Sequence, residues 1–133
     1  MLSETETSPG PDTVAFDIGR RLPDERTCVV TVEGALDLSG APRLKWMLVE
    51  ALDAGCSQLV VDLSGATLVD ASALGALIRV NRRIGPDAQL AIACGQPELL
   101  HVFKASGLGH MFAILPTVEE ALAQVSRETA NAG

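Results

Sequence analysis

The sequence has no tyrosine and few aromatics of any kind: one Trp and three Phe, 3% of its 133 residues. A core without rings must be filled by aliphatic side chains, and 47% of the chain is hydrophobic. That proportion excludes a disordered chain. The length fits one domain, which at this size buries roughly two-thirds of the surface its unfolded chain exposes. Positive charge is the second shortage. Lys and Arg number 10 against 17 Asp and Glu, for a formal net charge of −7. Phosphate backbones and anionic headgroups are held by clustered cations. Neither a nucleic-acid partner nor a membrane surface is therefore expected.

Cysteine is scarce and scattered, at Cys28, Cys56 and Cys94. No two form a C-x-x-C pair, and neither His101 nor His110 lies near one at zinc-ligand spacing, so no metal site is expected. An odd, dispersed count reads as reduced thiols of a cytoplasmic interior. Residues 1–12 are polar, rich in Ser, Thr, Glu and Pro, and lack an apolar h-region. They predict a disordered tail and no signal peptide. No apolar run reaches the roughly twenty residues that span a bilayer, so no membrane insertion is expected.

Catalytic signatures are lacking too. There is no G-x-x-x-x-G-K, no G-x-S-x-G and no Gly-rich turn directly after a strand. Gly107-Leu108-Gly109 falls between a helix and a short strand, where a helix-ending turn explains it. His101 and His110 have no carboxylate or nucleophile partner in sequence, and surface or capping roles account for them. The reading is of a protein that is no enzyme and carries no cofactor.

What is there is a regular alternation of elements. A weak strand is predicted over 13–19 and a second over 28–32, with Cys28, Val30 and Val32 on one face and Val29 and Thr31 on the other. Leu22-Pro23-Asp24-Glu25 is turn chemistry, so the two form a hairpin. After a loop over 34–40, a helix starts near Pro42, whose missing N–H costs nothing in a first turn. Leu44, Met47, Leu48, Ala51 and Leu52 share one of its faces, and Gly55 stops it. The apolar run of 58–63, centred on Leu59-Val60-Val61, suits a parallel strand covered on both faces. A helix over 72–84 follows, with Leu74, Leu77, Ile78 and Ile84 inward and Gly85-Pro86 as its end. Then come a strand over 89–93, a helix over 97–105 ended by Gly107, and the short strand Phe112-Ala113-Ile114. Thr117 and Glu120 form a capping box for a last helix from Val118 to about Arg127.

The expected class is α/β, a single domain over 13–127 in the order β-β-α-β-α-β-α-β-α, with flexible tails over 1–12 and 128–133. Its mixed sheet is opened by the N-terminal hairpin and packed by helices. The parallel middle stretch should bring the loops 34–40 and 65–71 side by side at the C-terminal edge of the strands.

The second of those loops is the most informative segment. In Val61-Asp62-Leu63-Ser64-Gly65-Ala66-Thr67-Leu68-Val69-Asp70-Ala71-Ser72-Ala73-Leu74-Gly75-Ala76-Leu77 a buried strand feeds a helix start stripped of bulk. Asp70 and Ser72 can each accept from free N–H groups there, so capping alone can explain both. Capping does not explain Ala71, Ala73, Gly75 and Ala76 together. Small side chains let another backbone come close, the protein's own sheet or a partner's.

This segment resembles the signature of STAS domains, strand-D-L-S-x-V-x-F-[ILMV]-D-[ST]-[ST]-G-L-G-x-L. Gly34-Ala35-Leu36-Asp37 resembles the family's G-E-L-D. Pro97-Glu98-Leu99-Leu100 and Gly107-Leu108 resemble its P-x-[LV]-x-x-x-L…G-L segment, and Phe112-Ala113-Ile114 the short strand after it. The resemblance implies a STAS-like fold, no intrinsic catalysis and, in anti-sigma factor antagonists, capture of an anti-sigma factor that is also a serine kinase. Capture frees a sigma factor for transcription. Phosphorylation of the hydroxyl residue directly after the motif's Asp ends it. By this resemblance Asp37 and Asp70 match the two acidic positions, and Ser72 matches the second hydroxyl. Ala71 stands where the phosphoacceptor should be, and Ala73 replaces the usual Gly. Ser72 is thus the candidate acceptor, one residue late. The resemblance equally covers scaffold subunits of signalling assemblies and accessory subunits of membrane transporters. A scaffold should self-associate through an apolar patch, whereas an antagonist should be a monomer or weak dimer.

Two features concern partners. Arg79, Arg82 and Arg83 lie at i, i+3 and i+4, a stripe that either steers an acidic partner or is a solvated helix face. Trp46 points about 200° from the buried face centred on Leu44, between Arg43, Glu50 and Asp53. It is either an exposed partner anchor or folded against the N-terminal tail or a neighbouring loop. The expected binding set is therefore Asp37, Asp70, Ala71, Ser72, Ala73, Gly75, Arg79 and Trp46.

Overall fold

The fold is seen in a computed structural model that describes residues 16–132. Its elements are β1 (Asp17–Asp24), β2 (Thr27–Leu36), α1 (Ala41–Asp53), β3 (Gln58–Val69), α2 (Ala71–Arg83), β4 (Gln89–Ala93), α3 (Pro97–Ala105), a 3₁₀ turn (Leu108–His110), β5 (Ala113–Leu115) and α4 (Val118–Ala132). The order is the expected one. The sheet runs β1-β2-β3-β4-β5, with β1 antiparallel to β2 and every later pair parallel.

That strand order decides where the helices go. Each parallel strand pairs with the next in sequence, so right-handed crossovers deliver α1, α2 and α3 to the same face of the sheet. The packing agrees. Cys28, Val30, Val32, Leu59, Val61, Leu63 and Ile92 meet Leu44 and Leu48 of α1, Leu77 and Val80 of α2, and Leu99 and Phe103 of α3 in one cluster. The alternate residues Val29, Val60, Ala91 and Ala93 face the other way, against Ala121 and Val125 of α4. Period-2 alternation thus splits each central strand between two cores. The alanines of β4 let α4 lie close.

Several bounds differ from those the sequence predicts. β1 reaches Asp24, beyond the expected 13–19, and the hairpin turn falls at Glu25 and Arg26. The Asp24 carboxylate accepts from the Arg26 N–H at 2.8 Å, which closes that turn. Pro23 is tolerated because the register slips between Arg21 and Asp24, where no ladder bond is asked of it. Residues 13–15 and the tail over 1–12 lie outside the described residues. The expected loop 65–71 is mostly strand and the expected loop 34–40 begins as strand: β2 continues to Leu36 and β3 to Val69, with register shifts between Thr31 and Glu33 and between Gly34 and Ala35. Gly34 absorbs one shift at φ 86°, a backbone state glycine reaches without a Cβ clash. At the other end, α4 runs to Ala132, so 128–132 continue the helix instead of forming a tail. No Gly or Pro precedes Gly133 to stop it.

Leu77 is fully buried where α2 meets the sheet. Leu77→Ala should lower the unfolding free energy by about 2–5 kcal/mol, read from urea midpoints at unchanged slope. A loss under about 1 kcal/mol would mean that α2 is not packed as described.

Candidate functional site

The two expected site segments end at one place because β2 and β3 stay paired to their last residues. Leu36 is the partner of Val69, and the Asp70 N–H donates to the Leu36 carbonyl at 3.2 Å. From there the chains diverge into α1 and α2. Asp37 and Asp70 therefore stand side by side at the C-terminal edge of the parallel strands.

Each aspartate has a local task. The Asp37 carboxylate accepts from the Ser39 N–H at 3.0 Å and the Ser39 hydroxyl at 2.8 Å. Its carbonyl accepts from the N–H groups of Gly40 at 3.0 Å and Ala41 at 2.9 Å, which starts α1. Chiefly the Ser39 hydroxyl, and then the Ser39 amide, hold the Asp37 carboxyl below its ordinary value of 3.8. Asp70 is extended, at φ −105° and ψ −176°, and its side chain accepts from the Ala73 N–H at 3.1 Å. It is the N-cap of α2. Capping accounts for Asp70 and leaves Ser72 unexplained.

Between the first turns of α1 and α2 lies an open groove of about 430 Å³. Leu38, Ala41, Pro42 and Lys45 line one wall, and Ala71, Ser72, Gly75, Ala76 and Arg79 the other. The methyl of Ala71 is exposed and the Ser72 side chain half-buried. A Cβ on Gly75 would meet nothing within 4 Å, so this position faces open space.

Ala71, Ser72, Gly75 and Arg79 are thus brought together. Ala73 is not: it is fully buried in the core against the sheet, so its small size serves packing and no partner can touch it. Trp46 is 62% exposed on α1, outside the groove lining. The arginine stripe is divided. Arg83 donates to the Asp53 carboxylate at 3.1 Å and ties the ends of α2 and α1 together, whereas Arg79 faces the groove.

Two contributions were not read from the sequence. The α1 wall, Leu38 with Lys45, was missed, although an exposed Leu beside Asp37 is an unusual choice for a polar turn. Gln96 was also missed. Its side-chain amide donates to the carbonyls of Leu63 at 2.7 Å and Ala66 at 2.8 Å, with Ser64 at 3.1 Å sharing. It holds the irregular end of β3 in place, and nothing in sequence links positions so far apart. The three cysteines are buried and free, and burial pushes each thiol up, as suits inert core side chains.

The sequence matches the STAS domain family over residues 23–121. The chain is a member of that family. No curated protein matches it. Among solved structures, it resembles an anti-sigma factor antagonist from Mycobacterium paratuberculosis, with a TM-score of 0.77 at 23% identity over 84% of this chain and 95% of that one. It resembles unphosphorylated SpoIIAA, an anti-sigma factor antagonist known from Bacillus, with a TM-score of 0.64 at 16% identity over 85% and 98%. A sulfate transporter family protein from Wolinella succinogenes gives a TM-score of 0.68 at 14% identity over 83% and 93%. At these identities the likeness is one of fold. In this STAS domain residues 61–77 run from the middle of β3 into α2.

The Asp37 contact gives a signed expectation. A carboxyl held low by hydrogen bonds stabilises the fold above its ordinary value of 3.8, and the contribution fades as pH falls through the depressed folded value. Ser39→Ala should move the Asp37 carboxyl midpoint up towards 3.8, read by carboxyl-carbon NMR. An unmoved midpoint would detach Ser39 from Asp37.

Proposed function

We propose that this STAS domain is an anti-sigma factor antagonist that binds a kinase-type anti-sigma factor and so frees a sigma factor for transcription, working in the cytoplasm as a monomer or weak dimer and by binding alone. The observation that carries the reading is the groove, where Ala71, Ser72 and Gly75 open onto solvent between two helix starts. Small side chains there let a partner backbone approach. Asp37 and Asp70 directly precede the lining residues Leu38 and Ala71, and Trp46 is exposed on α1 next to Lys45. The antagonists named among the similar structures support the reading at the level of fold.

The switch is altered. Ala71 has no oxygen to phosphorylate. Ser72 has one, in a first turn whose free N–H groups and positive dipole end favour a phosphate. A phosphate would place about two negative charges beside Asp37 and Asp70 and repel a partner that had accepted the neutral surface. Ser72 is turned by about 100° from the preceding position, so a kinase aimed at Ala71 meets a methyl. The exposed Ala71 methyl also favours a second reading, a scaffold or transporter accessory subunit with no phosphoswitch; the Wolinella structure is of a transporter family protein.

Purified kinase-type anti-sigma factor and ATP, incubated with wild type, Ser72→Ala and Ala71→Ser, separate these readings. Phosphate on wild type that is lost in Ser72→Ala indicates a displaced switch. Phosphate only on Ala71→Ser, with wild type still bound, indicates a constitutive antagonist. Absence of both binding and phosphate in all three forms leaves the scaffold reading. Gly75→Gln should abolish capture while raising stability by about 0.5 kcal/mol, since Gln is the better helix former and meets open space. Unfolding of this variant would remove Gly75 from the surface argument.

A further inference from the structure

The charge of the groove is opposite to that of the chain. The molecule carries a formal net charge of −7, yet the charged side chains lining the groove are Lys45 and Arg79, one on each wall. Neither has an ion-pair partner among the described residues. The nearby carboxylates keep their charge but are bonded into their own turns: Asp37 accepts from Ser39, Asp70 accepts from the Ala73 N–H, and neither lines the groove. The 13-residue helices α1 and α2 both open at this place, and their N-terminal ends add positive potential. Leu38, 73% exposed, supplies an apolar contact at the mouth.

We infer that the groove holds an acidic segment of the partner protein, with carboxylates on Lys45 and Arg79 and its backbone against Ala71, Gly75 and Ala76. The inference deepens the antagonist reading and rests on it only for the partner's identity. Charge sets the specificity. An acidic segment is repelled by most of this surface and attracted at one place, which fixes its register more than it adds affinity. Ser72 belongs to the same lining as the two cations, so an anion placed on its hydroxyl competes for them.

The probe is hexaglutamate, titrated into the ¹⁵N-labelled full chain beside hexaglutamine. Hexaglutamate should shift the amide signals of Lys45, Ser72, Gly75 and Arg79, and hexaglutamine should not. Lys45→Gln/Arg79→Gln should weaken hexaglutamate binding about tenfold, and higher salt should weaken it further. Both side chains are exposed, so the fold should survive, as circular dichroism would verify. Ser72→Asp, which leaves both cations in place, should block the peptide as well. Equal shifts with the two peptides, no shifts with either, or binding indifferent to the double variant would overturn the inference. The kinase assay is independent of these results. Hexaglutamate bound in the groove without capture of any kinase would keep the acidic-segment inference and sink the antagonist reading. Kinase captured equally well by the double variant would do the reverse.

Discussion

The backbone N–H of Asp70 donates to the Leu36 carbonyl at 3.2 Å and closes a parallel ladder that begins where Thr27 meets Gln58. Two register shifts interrupt this ladder, yet the strands end together at Leu36 and Val69. Were either strand to leave the sheet at its first irregularity, α1 and α2 would start at different heights. Their first turns would then share no groove. Gly34, with its positive φ, and Gln96, with its amide across the carbonyls of Leu63 and Ala66, are what the chain spends on keeping the ends level.

Placement of the helices follows from topology more than from their own sequences. Consecutive parallel strands with right-handed crossovers leave α1, α2 and α3 no choice of face. A single helix, α4, then covers the other face through Ala121 and Val125. The result is asymmetric: one side of the sheet carries the large core and presents the groove, while the other is sealed by a thin layer of small residues. Functional change can therefore concentrate in the first turns of α1 and α2 without disturbing the centre of the sheet.

Much of this was legible in the sequence. The alternation of Cys28, Val30 and Val32 against Val29 identified the two faces, and the apolar run of β3 identified its double burial. Both are local patterns with a fixed period. Asp70 as a cap and Gly75 as an open position could also be read locally. Legibility failed where a property depends on two distant segments. Ala73 and Gly75 are both small and two residues apart, but only the sheet beneath α2 makes one core and the other surface. Lys45 belongs to the groove only because β2 and β3 pair, and Gln96 stands 30 residues from Ala66 and 33 from Leu63, whose carbonyls it reaches. Strand ends were misjudged because glycines that signal a loop in one chain signal a bulge when a neighbour continues the ladder.

The slip in register at Pro23 has a bearing on how such a domain can assemble. An open sheet has two free edges, each a row of unpaired backbone groups on which another strand could grow. Here one edge is β1, interrupted by a residue with no N–H to give and flanked by the exposed Arg20 and Arg21. The other is β5, only 3 residues long. The regular part of β1, Asp17 to Arg21, carries exposed charges and β5 is short, so intermolecular β-pairing is discouraged at both margins. Fibrillar growth by strand addition is thereby discouraged.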